Sequence, residues 1–328
     1  VPIGSGNWVD ALIRETRREG AGTFAVASNP EFLREGSALQ DSLYPDRIVI
    51  GADQSQALER MYTLYRPLLE QQFQAPPFLP RPERMGGVSL ISTDLASAEL
   101  IKYAANAFLA LKISYINEVG QLAERVGADI QQVARGMGLD ARIGHRFLHA
   151  GIGWGGSCFG KDTAALISTA EEYKLDMPIV RAARSVNFRQ RELVVEKLLD
   201  SLRILKGRTI GLLGLAFKPH TDDLRDAPAL DIARRLIERG ARVRAHDPVA
   251  LPAARRQAPD LGVSWCASPA DLAQDADALV LVTEWPEYRT LDWSALGAAM
   301  RNRLILDGRH ALERHELERA GFQYIFVG

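Results

Sequence analysis

The residues best suited to chemistry lie between Gly153 and Asp162, where the chain reads Gly-Trp-Gly-Gly-Ser-Cys-Phe-Gly-Lys-Asp. The glycines before Cys158 permit backbone angles that side chains forbid, and they let a ligand approach the main chain closely. The pattern from Ser157 onward predicts a helix with Cys158 in its first turn, where unpaired N–H groups and the helix dipole favour a thiolate. Asp162 lies one turn later on the same face. The segment indicates a nucleophilic thiol, and a buried structural cysteine is the alternative.

A second candidate pair is Lys102 and Asn106, which stand four residues apart in a long apolar-periodic segment. The periodicity predicts one helix from Leu95 to about Val126, and residues four apart share a face of a helix. A solvated lysine beside a polar surface residue is the alternative interpretation. A helix of this length exceeds the globular average and is typical of a spine between domains or of a dimer interface.

A third group could bind phosphate. Gly211 to Pro219 follows a predicted strand as a dinucleotide loop would, but its glycine spacing is not GxGxxG. Lys218, Arg225 and Arg309 each lie beyond a predicted strand or in its loop, and together they could clamp a diphosphate. Each of them alone is also compatible with an ordinary surface charge.

The elements that carry these residues predict an α/β fold. Short predicted strands at Thr23 to Ala27 and Arg47 to Gly51 are typical of the tail of an α/β domain. From Arg208 onward, strands alternate with helices, which predicts a doubly wound parallel sheet with ligands at the carboxyl ends of the strands. We therefore expect a remnant of a Rossmann-like domain in residues 1–92, a central all-α domain with the long helix in 93–203, and a Rossmann-like domain in 204–328.

The composition excludes several classes of function. The 328 residues include 40 basic and 41 acidic side chains, a net charge of -1, so no overall field recruits nucleic acid or an anionic membrane. The two cysteines occupy unrelated contexts, which indicates a reducing compartment without a disulfide framework. Apolar runs stay below the ~20 residues of a membrane span. We predict a cytoplasmic protein without a metal site.

Several of these segments resemble the UDP-glucose/GDP-mannose dehydrogenase family. The similarity rests on ordered motifs along the chain: Val1–Gly4 resembles the end of a first-domain strand, Ser28–Ala38 a substrate loop, Glu99–Phe108 the catalytic helix, Gly155–Asp162 the nucleophile loop, and Gly214–Lys218 with Asp307–Arg309 the nucleotide-sugar domain. The resemblance implies NAD as cofactor, a nucleotide sugar as substrate and a homodimer or higher homo-oligomer.

The resemblance also implies roles for the catalytic residues. Cys158 would add to an aldehyde to give a thiohemiacetal, which becomes a thioester before water releases the acid. Lys102 and Asn106 would stabilise the oxyanion. Glu31 would be the base for hydrolysis, and Asp162 would orient the water or Lys102.

Further contacts follow from the same resemblance. Phe147 and Phe217 would flank the base or ribose, Lys218 and Arg309 would bind the diphosphate, and Arg142 would reach the sugar in a neighbouring subunit. The full implied substrate set is Phe32, Leu33, Arg34, Glu35, Arg142, Phe147, Gly155, Phe159, Phe217, Lys218 and Arg309, and the implied cofactor set is Val1, Pro2, Glu35, Lys161 and Arg225. The loops at Arg34 and Arg142 favour UDP-glucose, oxidised to UDP-glucuronate; GDP-mannose or another nucleotide sugar is the alternative.

One departure from the family pattern concerns the cofactor. The family begins with a strand and a GxGxxG turn that holds NAD, and this sequence has no such turn at its start. We therefore expect a truncated chain that lacks the NAD-binding half-domain and is inactive by itself. Two other functions stay open: a non-catalytic nucleotide-sugar binding module, and a cysteine hydrolase that pairs Cys158 with His145 or His149.

Overall fold

The computed structural model describes residues 2–20, 22–83 and 85–328. The chain divides into two compact units, one formed by Val1–Asn106 with Ala165–Asp176 and the other by Ala107–Ala164 with Met177–Gly328. In the described part, the helices are α1 (Ser5–Thr16), α2 (Ala38–Leu43), α3 (Ser55–Leu69), α4 (Leu95–Val126), α5 (Ile130–Gly138), α6 (Ser157–Glu172), α7 (Pro178–Leu202), α8 (Pro228–Glu238), α9 (Leu251–Gln257), α10 (Pro269–Ala273), α11 (Pro286–Arg289), α12 (Trp293–Ala299) and α13 (Arg314–Arg319). The strands are β1 (Arg47–Gly51), β2 (Ser89–Thr93), β3 (Thr209–Leu213), β4 (Arg242–His246), β5 (Ser264–Trp265), β6 (Ala278–Leu281), β7 (Leu304–Asp307) and β8 (Gln323–Phe326).

The first unit contains a parallel pair of strands, β1 and β2, aligned from Arg47 opposite Ser89 to Gly51 opposite Thr93. Buried side chains of Ile48 and Ile50 form its core together with residues of α3. Parallel strands require a crossover connection, and α3 lies in the segment that joins them.

The strand predicted at Thr23 to Ala27 is wrong. This segment is not in a sheet, and the neighbouring Ser28 makes a single antiparallel bridge to Gly51. The ring of Phe24 lies instead beneath the guanidinium groups of Arg14 and Arg17, at 5.3 and 5.6 Å. Strand composition alone does not make a strand, because the backbone must find a partner for its hydrogen bonds.

The long helix α4 is confirmed over the predicted range. It begins after Asp94, whose carboxylate accepts the N–H of Ser97 at 2.8 Å and so satisfies a donor that the first turn leaves unpaired. Hydrogen bonds from Ser97 lower the pKa of Asp94.

The second unit contains a six-stranded parallel sheet in the order β5-β4-β3-β6-β7-β8. This order is that of a doubly wound Rossmann-type sheet, which confirms the predicted fold class. Strands β3, β6 and β7 are completely buried, as expected where helices cover both faces. The strand order reverses between β3 and β6, so the loops that follow these two strands flank the crevice in which such sheets bind ligands.

Among the helices of the described residues, none is both long enough and apolar enough to cross a membrane.

Candidate active site

The thiol lies where the sequence predicted it. Helix α6 begins at Ser157, so Cys158 is its second residue, and its side chain is partly exposed. The Ser157 hydroxyl lies 3.8 Å from the sulfur. One turn later Asp162 is 1 % exposed and pairs with Lys161 at 2.6 Å. The first two turns of α6 thus carry a thiol and a buried carboxylate on one face.

Two residues predicted to bind the nucleotide contact the segment that leads to Cys158. The Phe217 ring packs on Gly156, where an added Cβ would lie 2.8 Å from the ring. Arg309 donates from Nη1 to the Gly153 carbonyl at 2.9 Å, and the Gly156 N–H donates to the Arg225 carbonyl at 2.9 Å. The glycine-rich segment is therefore the meeting point of the thiol helix and the loops of the sheet.

Arg309 follows β7 and reaches back across the end of β6. Its Nε donates to the Val282 carbonyl at 2.7 Å and lies 3.4 Å from the Glu284 carboxylate. Burial lowers the pKa of Arg309, and the charge of Glu284 opposes that shift. Its guanidinium thus joins the carboxyl end of the sheet to the Gly153 carbonyl, in addition to any contact with a ligand.

The loop after β3 carries Phe217 and Lys218, and the Lys218 ammonium lies 5.2 Å from the Phe217 ring centroid. Asp247, a residue that the sequence analysis missed, organises this loop. Its buried carboxylate accepts the peptide N–H groups of Leu215, Ala216, Val249 and Ala250 and the indole N–H of Trp285. The available signal was its position, because Asp247 comes directly after β4 at the carboxyl end of a parallel strand.

Aromatic side chains surround the start of α6. Phe159 makes edge contacts with Phe147 and Trp154, with ring centroids 6.2 and 5.9 Å apart. Gly155 packs against the main chain of Asp226. Arg142 lies on an exposed turn, where it pairs with Asp140 at 2.6 Å and lowers the pKa of that carboxyl group.

The first unit brings Lys102 to Glu31. The Lys102 ammonium donates to the Glu31 carbonyl at 2.5 Å and to its carboxylate at 2.9 Å, although the two residues are 71 apart in sequence. Lys102 also lies 5.5 Å from the Phe32 ring centroid. Asn106 stands one helical turn further along α4. A cation, a carboxylate and a carboxamide therefore come from the two segments that resemble the family's substrate loop and catalytic helix.

The remaining residues of the predicted substrate loop are held by local bonds. The Leu33 N–H donates to the Glu31 carboxylate at 2.7 Å. Arg34 forms an ion pair with Asp41 at 2.5 Å. Burial by itself would raise the pKa of Asp41, but the hydrogen bonds from Arg34 outweigh it and lower that pKa. Glu35 follows directly in the chain.

The predicted cofactor residues are dispersed along the chain. Pro2 precedes α1, and Lys161 and Arg225 carry exposed cations paired with Asp162 and Asp223. Val1, also predicted to contact the cofactor, lies outside the described residues.

The second unit thus defines a class of protein: an α/β protein in which a doubly wound sheet presents its ligand loops to a helix that carries a thiol. The chain belongs to the UDP-glucose/GDP-mannose dehydrogenase family. The family's NAD binding domain matches residues 1–69, its central domain residues 96–189, and its UDP binding domain residues 211–314.

Individual relatives agree with this assignment. The chain is 44% identical to the UDP-glucose 6-dehydrogenase of Rhizobium meliloti, over 100% of this chain and 71% of the relative. It is 42% identical to UDP-glucose 6-dehydrogenase TuaD of Bacillus subtilis, over 100% of this chain and 67% of the relative. The solved UDP-glucose dehydrogenase of Pyrobaculum islandicum is 40% identical and superposes with a TM-score of 0.85, covering 100% of this chain and 68% of that chain.

These matches correct one expectation. The prediction that the chain lacks its NAD-binding half is wrong, because residues 1–69 match the family's NAD binding domain. The prediction rested on one phosphate-binding turn, and a domain has many other residues by which it is recognised. NAD is the cofactor of this family domain.

Proposed function

We propose that this protein oxidises UDP-glucose to UDP-glucuronate with NAD, in two steps that share the Cys158 thiol. The observation that carries the proposal is the packing of Phe217 and Arg309, from the UDP binding domain, on the segment that precedes Cys158. A nucleotide bound by those loops would have its sugar beside a thiol, where covalent capture of an aldehyde is useful.

The proposed chemistry places Cys158 at the sugar carbon that is oxidised. Its thiolate adds to the C6 aldehyde to form a C–S bond and an oxyanion, which is a thiohemiacetal. Loss of hydride from that carbon leaves a thioester, and water then breaks the C–S bond to release the carboxylate and the thiol. Two molecules of NAD, bound one after the other, would accept the two hydrides, one from the alcohol and one from the thiohemiacetal.

Four other residues support these steps in our proposal. Lys102 and Asn106, one turn apart on α4, supply N–H donors to the oxyanion. Glu31 accepts a proton from the hydrolytic water, and its hydrogen bond with Lys102 holds its carboxylate in place. Asp162, 1 % exposed, orients water or Lys102.

The nucleotide half of the substrate is assigned to the second unit. Phe217 and Phe147 flank the base or ribose, and Lys218 with Arg309 binds the diphosphate, because guanidinium and ammonium groups make strong hydrogen bonds to phosphate oxygens. Gly155, Phe159 and Arg142 complete that side, Arg142 from a neighbouring subunit. The substrate loop from Phe32 to Glu35 contributes to the sugar end.

The described residues of the first unit fit an NAD-binding domain, because β1 and β2 are parallel and α3 packs against their apolar side chains, as in dinucleotide-binding α/β units. We propose Pro2, Glu35, Lys161 and Arg225 as the residues that contact the cofactor. The exposed cations of Lys161 and Arg225 are of the type that binds phosphate.

We propose a homodimer that forms through α4. Its residues Phe108, Tyr115, Leu122 and Val126 are 62%, 51%, 61% and 68% exposed and recur at spacings of seven and four, so they form an apolar stripe. Light scattering should give the mass of a dimer, and Leu122→Glu should give a monomer. Leu64→Glu, at an equally exposed leucine on α3, should leave the mass unchanged.

We also propose the domain division 1–92, 93–203 and 204–328, which is supported because each family segment lies within one of these ranges. A cytoplasmic location fits a protein whose two cysteines are both unpaired thiols.

The central test compares wild type with Cys158→Ser. Wild type should form NADH with UDP-glucose, at a kcat/KM far above that with GDP-mannose, and should yield UDP-glucuronate. Cys158→Ser should form no acid at an appreciable rate, while its Kd for UDP stays unchanged. Normal acid production by Cys158→Ser would refute covalent catalysis. UDP binding without any NADH formation by wild type would favour the binding module instead.

A further inference from the structure

The main chain of Trp154, four residues before Cys158, is bound on both sides by one buried side chain. Asn187 of α7 is 0% exposed. Its Oδ1 accepts the Trp154 N–H at 2.7 Å, and its Nδ2 donates to the Trp154 carbonyl at 3.0 Å. The carboxamide thus pairs with this residue as a neighbouring strand would.

Gly153 makes this close pairing possible. Its φ of +89° is in the left-handed region, and a Cβ at this position would lie 2.4 Å from Asn187 Oδ1. The glycine at position 153 is therefore required by a protein side chain, whatever a ligand requires.

Other side chains of α7 extend the attachment. Gln190 donates to the Gly151 carbonyl at 2.7 Å, and Arg191 donates to the Trp154 carbonyl at 3.2 Å while it pairs with Asp226 at 2.8 Å. Positions 187, 190 and 191 share one face of the helix. From α4, Asn117 accepts the Gly151 N–H at 2.8 Å.

The segment from Gly151 to Gly156 depends on these hydrogen bonds from side chains. It is buried but irregular, so its peptide groups cannot pair within a helix or sheet, and unpaired they would each cost about 1–3 kcal/mol. Side chains fixed on α7 satisfy them and thereby fix the backbone from which α6 starts. Since reacting atoms displaced by about 1 Å can slow a reaction by about 100-fold, the position of this backbone matters for the thiol.

We propose that Asn187 is a positioning residue for Cys158: it touches neither substrate nor cofactor, and it sets where the thiol stands by holding Trp154. Of the side chains named above, Asn187 binds both the N–H and the carbonyl of Trp154, which is the anchored residue nearest to the thiol. The catalytic consequence rests on the function proposed above, whereas the anchoring does not.

The test uses the full chain with Cys266→Ser, so that Cys158 is its single thiol. Into it we place Asn187→Ala, Asn187→Asp, which keeps the acceptor and loses the donor, and Val194→Ala as control. Val194 is also fully buried on α7 but contributes to the hydrophobic core. Asn187→Ala should lower kcat by about 10- to 100-fold while KM for UDP-glucose changes by less than about threefold. The kcat of Asn187→Asp should lie between that of Asn187→Ala and that of the parent, Cys266→Ser. Val194→Ala should keep the kcat of the parent.

Hydrogen exchange supplies a second readout that general destabilisation would not reproduce. The Trp154 amide should be strongly protected in the parent and lose that protection in Asn187→Ala, while amides of β3 keep theirs. If Asn187→Ala does not fold, Asn187→Asp decides by the same two measurements. Unchanged kcat with a protected Trp154 amide would overturn the proposal, as would a fast-exchanging Trp154 amide in the parent. A parent without turnover would contradict the proposed function, and amide exchange would then decide the anchoring by itself.

Discussion

Replacing Asp247 by asparagine should weaken both the fold and nucleotide binding, although the two side chains have nearly the same size. Oδ2 of Asp247 accepts from two peptide groups in the loop after β3 and from the Trp285 indole, and Oδ1 accepts from two peptide groups after β4. All of these partners are donors. An amide NH2 in either orientation therefore faces at least two N–H groups that it cannot bind.

The size of the effect follows from these contacts. Each buried N–H left without an acceptor costs about 1–3 kcal/mol, so two of them cost about 2–6 kcal/mol of unfolding free energy. Domains of this kind are stable by only about 5–15 kcal/mol, so the variant should remain folded but with a clearly lower midpoint in urea. Because the bonds to Oδ2 shape the loop that carries Phe217 and Lys218, the Kd for UDP should rise by about tenfold or more, which corresponds to about 1.4 kcal/mol.

The chain offers a matched control in Asp277. It is fully buried at the opposite, amino end of the same sheet, where it accepts the Thr209 N–H at 2.8 Å and pairs with Arg208 and Arg301. Asp277→Asn should lower stability and leave the Kd for UDP unchanged. Urea unfolding and calorimetry with UDP measure the two quantities separately. A loss below about 1 kcal/mol in Asp247→Asn, or an equal loss of UDP affinity in both variants, would refute the reasoning.

Gly156→Ala should destabilise the protein by about 1–3 kcal/mol or more in urea unfolding, because φ is +85° and the new Cβ meets the Phe217 ring, whereas Gly144→Ala, at φ +71° with open space around it, should show the backbone cost alone. Equal losses in the two variants would argue against the ring contact. Burial lowers the pKa of His246 below 6.5, and the charges of Asp247 and Asp271 oppose that shift. The unfolded chain therefore binds a proton at His246 more readily than the folded chain does, and the free energy of unfolding should fall as the pH drops below about 6.5. His246→Asn should make the free energy of unfolding less dependent on pH in this range. Lys102→Ala should lower kcat by the equivalent of about 3 kcal/mol with little change in the Kd for UDP, and a rise in KM alone would assign Lys102 to substrate binding.

The periodicity of the sequence was sufficient for the long elements. Helix α4 occupies the predicted residues, and the buried strands β3, β6 and β7 lie in the region after Arg208 for which strands alternating with helices were predicted, because a continuous apolar segment has few alternatives to burial in a parallel sheet. Strand β2 was missed, since Ser-Leu-Ile-Ser-Thr is short and half polar and pairs only because β1 lies beside it.

The thiol and its helix could be predicted because their signal is local: glycines, a cysteine and a helix start within ten residues. Asn187 gave no such signal, since the sequence does not show the role of an asparagine inside a helix until its hydrogen-bond partner is known. Its partner, Trp154, is 33 residues away in sequence. The Lys102–Glu31 contact spans 71 residues and was not predicted, because the family resemblance assigned a role to each residue without pairing them.

In the proposed mechanism, the nucleotide part of the substrate does more than bind the sugar to the protein. Phe217 packs on Gly156 and Arg309 binds the Gly153 carbonyl, so residues assigned to the uridine and the diphosphate hold the same backbone that Asn187 holds from α7. A ligand that fixes Phe217 and Arg309 must therefore also restrict the segment from which Cys158 projects. Binding energy at the nucleotide, remote from the carbon that reacts, can thus be used to orient the thiol, which predicts that UDP slows exchange of the Gly156 amide. If UDP binds and the Gly156 amide exchanges at an unchanged rate, nucleotide binding does not restrict the segment from which Cys158 projects.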